Sequence, residues 1–319
     1  MTGIRQSSVV SLPAYELTAG GYRALVCPAL GGNCLQLTHL ETGAELLRTP
    51  QTLEDIQSNP NVYGTPFLFP PNRIAGASYE FEGRVYSFPA NGDRGTHIHG
   101  LLSRTAFDVM SLEAEEDEAR IVLQYTATKE SPYLSFPHAF RVRIALTLNQ
   151  GGLSHRIDIF NDSESSMPCG AGFHTTLRVP FMPDGREEDC LFTLGAGREW
   201  LLPETTIPDG RTQESSPLHD ALTGAGLVPC RQPLSRLFEQ KGPAIIRDAA
   251  SGRAIVYTVD ESIRFWMIYN KDAKQRFLCT EPQTWMNDAP NRPFPAEDTG
   301  FRSIAPGSSM TIRTNLQLI

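Results

Sequence analysis

Arg141-Val142-Arg143-Ile144-Ala145-Leu146-Thr147-Leu148 is followed by Asn149-Gln150-Gly151-Gly152 and by a run in which Ile157 and Ile159 alternate with Arg156 and Asp158. Apolar residues at every second position line one face of an extended chain and leave the polar row on the other, and Asn with Gly supplies the turn. The stretch predicts a β-hairpin with one buried face. Outward from it, shorter alternations occur at Tyr79 to Phe81, Ile121 to Tyr125, Ile255 to Val259 and Met310 to Leu318, each bounded by Gly, Pro, Asn or Asp. Many short strands at such spacing predict an all-β sandwich or barrel. Helical periodicity is confined to Leu53-Glu54-Asp55-Ile56-Gln57, enough for one turn or two. The 26 Gly and 24 Pro among 319 residues also favour turns over long helices.

That length suits two ordinary domains or one large all-β domain. A formal net charge of -8, with no local cluster of Lys and Arg, disfavours nucleic acid and anionic membranes as partners. Cys27, Cys34, Cys169, Cys190, Cys230 and Cys279 are scattered, with no C-x-x-C pair or zinc spacing, which fits a reducing compartment. Met1 to Ser7 lacks a basic and then apolar leader, and no apolar run has membrane-spanning length, so cytoplasmic residence is the expectation. The Pro-, Gly-, Thr- and Ser-rich stretch from Pro203 to Pro233 reads as long loops carried by the sheet, and acidic Glu113 to Glu118 as an exposed hairpin tip. No Rossmann fingerprint or P-loop occurs.

Four polar, turn-rich segments carry the candidate chemistry. In Thr280-Glu281-Pro282-Gln283-Thr284-Trp285-Met286-Asn287-Asp288-Ala289-Pro290-Asn291, one carboxylate follows the apolar runs Ile263 to Tyr269 and Phe277 to Cys279, at the predicted end of a strand. In Phe69-Pro70-Pro71-Asn72-Arg73-Ile74-Ala75-Gly76, two prolines stiffen the backbone ahead of a guanidinium fork. In Asn91 to Gly100, His97 and His99 share a face if the segment is extended, and hydrogen bonding to a polar ligand suits them better than metal, because no acidic or cysteine ligand lies close by. The fourth segment, Gly170-Ala171-Gly172-Phe173-His174-Thr175-Thr176-Leu177, sets a histidine between small residues and an apolar continuation. Each alone is also readable as a strand cap, a paired arginine or a satisfied core histidine.

The ordered set, N-R-I with G, then H-G, then G-F-H, then E-P-Q with D-A-P-N, resembles the aldose 1-epimerase (mutarotase) family from about Leu25 to Leu318. The resemblance implies a galactose mutarotase-like supersandwich, a large antiparallel β-sandwich forming one domain over residues 1–319. It also implies a monosaccharide bound in an open cleft, as monomer or homodimer. Glu281 matches the family's general base, His174 its general acid, and Arg73 and His99 its sugar-hydroxyl contacts, with Asn72 and Asn91 beside them. A cyclic hemiacetal opens when a base takes the C1 hydroxyl proton and an acid protonates the ring oxygen, and it closes on the other face after rotation about C1–C2. That chemistry requires no metal or other cofactor. Trp285, Phe173 or Phe294 offers an apolar plate for the sugar's C–H face.

Two departures bear on specificity. Ser235, in Leu234-Ser235-Arg236-Leu237-Phe238, stands where the family commonly has Asp, and Thr175-Thr176 follows His174 where Pro-Tyr is commoner. Three alternatives stay open: a hexose 6-phosphate 1-epimerase using Arg94, Arg178 or Arg236; a non-catalytic sugar-binding or sensing protein; and a glycosidase or lyase in which Asp288 is the second carboxylate.

Overall fold

The hairpin Phe140–Asn149 and Gly152–Asn161 lies within a sheet of fourteen strands in the computed structural model, which describes residues 2–319. Val142, Ile144, Leu146 and Leu148 are buried while Arg141, Arg143 and Thr147 are only partly so, as the alternation requires. Each such apolar side chain contributes about 1.5–3 kcal/mol by leaving water.

From one edge inward, the large sheet runs Asp108–Ala114, Ala119–Ala127, Phe140–Asn149, Gly152–Asn161, Ser309–Leu318, Ala254–Val259, Ser235–Asp248, Phe265–Tyr269 and Phe277–Gln283, all antiparallel. Beyond lie Gly172–Phe173 and Phe67–Leu68, while Thr175–Arg178 also pairs with Phe277–Gln283 and Cys190–Trp200 with Ser235–Asp248. A second sheet, the meander Gly3–Val9, Leu12–Ala19, Tyr22–Cys27, Asn33–His39 and Ala44–Glu45, packs against it. Leu17, Ala24, Val26 and Leu37 join Ile121, Leu123, Val142 and Ile144 in one core between the sheets. Ala14, Leu25, Cys27 and Leu35 form a smaller cluster with Ile56 of the helix Leu53–Ser58. The fold is therefore all-β, as the strand pattern predicts, and of the sandwich and barrel it left open it is the antiparallel sandwich that the family resemblance implies.

The helix Leu53–Ser58 opens on a capping box, Thr52 accepting from Asp55 N–H and Asp55 from Thr52 N–H. Glu115 to Glu118 closes the exposed hairpin tip. The Pro203 to Pro233 stretch differs from its reading as loops. It contains the helix Pro217–Thr223, capped by Ser216, and the short strand Thr212–Gln213. Ser before Pro is a helix-start signal there, and seven residues are too few to reveal a period. No helix among the described residues is long and apolar enough to cross a membrane.

Candidate active site

Three neighbouring strands of the large sheet, Ser235–Asp248, Phe265–Tyr269 and Phe277–Gln283, present side chains to one cleft of about 560 Å³. Register sets Ser235 opposite Tyr269 and Met267 opposite Glu281, and with a period of two these residues share a face. Glu281 lies inside the strand Phe277–Gln283, all seven residues of which are buried, so a strand packed on both sides shows no alternation in sequence. His174 falls between Gly172–Phe173 and Thr175–Arg178, both paired to that same strand. Gly172 makes this approach possible, since a Cβ there would lie 2.6 Å from the Pro282 carbonyl oxygen. The result is a His174 Nε2 to Glu281 Oε1 distance of 3.2 Å between two buried side chains.

A second pair of short strands, Arg73–Ile74 and His97–Ile98, brings in the other residues. Asn72 (φ 54°) and His99 (φ 64°) both turn in the left-handed region, and His99 N–H donates to the Asn72 carbonyl at 2.9 Å. His99 enters the cleft with its ring centroid 5.1 Å from that of His174. His97 does not share that face. It stacks on Phe88 and bonds the Pro89 carbonyl at 2.8 Å, because the left-handed turn at His99 ends the extended run. Arg73 lies 3.5 Å from the exposed carboxylate of Asp93. Asn91 lines the cleft, but its amide is committed to the Ile98 backbone at 2.7 and 3.1 Å and so holds the loop.

All six candidates, Asn72, Arg73, Asn91, His99, His174 and Glu281, therefore meet at one cleft, as does Ser235. The aromatic plates do not. Trp285 packs where a Cβ of residue 170 would project and stacks on Phe301; Phe173 packs on Phe67; Phe294 packs on Trp200. The apolar lining comes instead from Met267 and Tyr269, which the unbroken apolar run conceals. Asp288 does not line the cleft. It is fully buried, accepts from Ala75 N–H at 2.8 Å and pairs with Arg292 at 2.6 Å, tying its turn to the Arg73 segment. This removes the second carboxylate from the glycosidase reading. Of the three arginines considered for phosphate, Arg94 pairs with Glu204, Arg178 with Glu45 and Arg236 with Glu199, and none lines the cleft. Arg104 does line it, and makes no ion pair among the described residues.

Burial dominates the electrostatics. It pushes the Glu281 carboxyl up to about 8, against the opposing pull of the Arg73 charge and a 3.2 Å hydrogen bond from Gln283. It pushes His174 down to about 4, and His99 well below the ordinary imidazole value, helped by His174 and Arg73. Near neutrality the Glu281–His174 pair therefore holds one proton. That proton sits either on the carboxyl with neutral imidazole, or across the 3.2 Å gap as carboxylate and imidazolium. The pair can donate and accept a proton at adjacent points in the cleft.

The model of the aldose 1-epimerase family matches residues 13–317. The uncharacterized protein YihR of Escherichia coli (strain K12) is 27% identical over 196 residues, 60% of this chain, which spans 58% of that protein's length. A galactose mutarotase-like protein from Clostridium acetobutylicum superposes with a TM-score of 0.96 at 27% identity, covering 100% of this chain and 98% of that one. Galactose 1-epimerase from Lactobacillus acidophilus NCFM shares the fold at a TM-score of 0.75 and 15% identity, covering 100% and 98%. With the family's model running over nearly every strand that builds the cleft, the chain belongs to the aldose 1-epimerase family.

Proposed function

We propose that this protein interconverts the α and β anomers of a free aldose, with Glu281 as general base and His174 as general acid. The observation that carries the reading is the 3.2 Å separation of these two buried groups on the cleft floor. Anomer exchange moves protons at O1 and the ring oxygen, two atoms bonded to the same carbon, so an acid and a base side by side match the reacting atoms. Burial favours the neutral tautomer at rest, and catalysis runs through the other, with the pair's one proton moved onto His174: carboxylate to take the O1 proton, imidazolium to protonate the ring oxygen. The reverse transfers close the ring and restore the pair. Each positioned group contributes about 10²–10⁴-fold. Arg73 and His99 hold sugar hydroxyls, and the Arg73 charge favours the ionised base. A purely sugar-sensing protein would have no use for a buried carboxyl and imidazole in contact, because leaving both without exposed water is costly.

Arg104 favours a second reading with the same chemistry, an aldose bearing an anionic substituent, since this exposed residue lines the cleft and makes no ion pair among the described residues. Ser235 agrees, because it removes the negative charge that the family commonly carries there. Polarimetry on freshly dissolved α-glucose, α-galactose and glucose 6-phosphate, with Glu281→Gln and His174→Asn as controls, tests both. Acceleration lost in the two variants supports the epimerase, and preference for the phosphorylated sugar selects the second reading. No acceleration of any sugar would refute the proposal.

A further inference from the structure

Cys279 stands two residues before Glu281 on the strand Phe277–Gln283, and so on the same face. Ligand atoms of His174, Cys279 and Glu281 all lie within 4.8 Å of one another, and the three residues are buried. A nitrogen, a sulfur and an oxygen donor together suit a borderline-soft divalent ion, Zn²⁺ foremost, at bond lengths of about 2.0–2.3 Å. We propose that these three side chains form a Zn²⁺ site at the cleft floor, and that filling it blocks proton transfer there.

The geometry is close to what the ion needs. Tetrahedral bonds of this length set ligand atoms roughly 3.3–3.8 Å apart, and the histidine and carboxylate are already at 3.2 Å. The sulfur has only to close in by roughly an ångström. It gives up little by moving, since its side-chain contact is a weak one to Thr176 Oγ1 at 3.4 Å. His174 and Glu281 line the cleft, so the fourth coordination position faces it and is open to water. On binding, Zn–N, Zn–S and Zn–O bonds form, and the thiol proton and any proton on the pair leave to solvent. The imidazole lone pair and the carboxylate are then both occupied, so neither can exchange a proton with a sugar. Zn²⁺ is here an inhibitor and not a cofactor.

Inhibition rests on the epimerase reading, whereas the site itself does not, and Co²⁺ separates the two. Titration of the metal-free protein with Co²⁺ should give one equivalent of four-coordinate visible absorption with a thiolate charge-transfer band, displaced by Zn²⁺. Zn²⁺ should abolish mutarotation reversibly on chelation. Cys279→Ser should keep the wild-type rate without metal, lose the charge-transfer band, and require at least about tenfold more Zn²⁺ for the same inhibition. Should Cys279→Ser fail to fold by circular dichroism, Cys279→Ala carries the same comparison. Absence of the band, or equal Zn²⁺ sensitivity in the folded cysteine variant, would overturn the site. A normal Co²⁺ spectrum in a protein that accelerates no sugar would sustain the site and refute the epimerase reading alone.

Discussion

Replacing Glu281 with Gln should move catalysis and stability in opposite directions. Burial holds the Glu281 carboxyl at about 8 against an ordinary value of 4.5. A raised carboxyl contributes stability that is fully present below pH 4.5 and is lost as pH rises through about 8, because the unfolded chain ionises first. At pH 7 the loss spans the interval from 4.5 to 7, and at about 1.4 kcal/mol per pH unit it reaches about 3 kcal/mol. Gln does not ionise, so the variant should exceed wild type by up to about 3 kcal/mol at neutral pH, while losing about 10²–10⁴-fold in mutarotation. His174 is pushed to about 4 by its own burial, so it is already unprotonated over most of this range and adds little to the pH dependence of the difference. Urea denaturation of the two proteins across this range, with polarimetry in parallel, reads both effects. The stability gap should vanish near pH 4.5 and widen toward 8. A gap that does not vary with pH would refute the buried, proton-holding carboxyl, whatever the activity does.

The pH profile of kcat/KM should be a bell with flanks near 4 and 8: below, the pair takes a second proton and loses its base, and above, it loses its only proton and with it the acid. A single-sided profile over that range would contradict a pair sharing one proton. Arg73→Met should raise KM and move the alkaline flank higher, since the guanidinium charge opposes the upward shift of Glu281; an alkaline flank that stays in place would exclude that charge as a perturber. Asp288→Ala should cost about 1–3 kcal/mol in urea denaturation, because it removes the acceptor of the partly buried Ala75 N–H and the partner of the partly exposed Arg292, and a loss below about 0.5 kcal/mol would contradict that anchoring role.

The strands with one wet face were legible residue by residue. Alternation from Phe140 to Asn149 needs no partner to be recognised, because burial of one row is a property of the chain's own period. The central strand Phe277–Gln283 was visible only as an apolar run ending in a carboxylate, since covering both faces erases the period. The candidate residues Asn72, Arg73, Asn91, His99, His174 and Glu281 were legible as polar groups in turn-rich settings, and their order along the chain was what the family resemblance rested on. Their assembly at one cleft was not. His97 and His99 share a face in an extended reading until a left-handed turn at His99 sends them apart, and Asp288 stays open as a second carboxylate until its bonds to Ala75 and Arg292 remove it. Tyr269 and Arg104 carried no motif, and only sheet register and loop packing bring them to the cleft.

By itself, then, the sequence determined the strand class, the turns and which side chains were chemically equipped for acid and base work, because those properties reside within a few consecutive residues. Only the tertiary structure decided the His174–Glu281 contact and the proton it shares. That contact depends on strand pairing between distant segments and on the exclusion of water by the surrounding core, which shifts the two groups in opposite directions and leaves one proton between them.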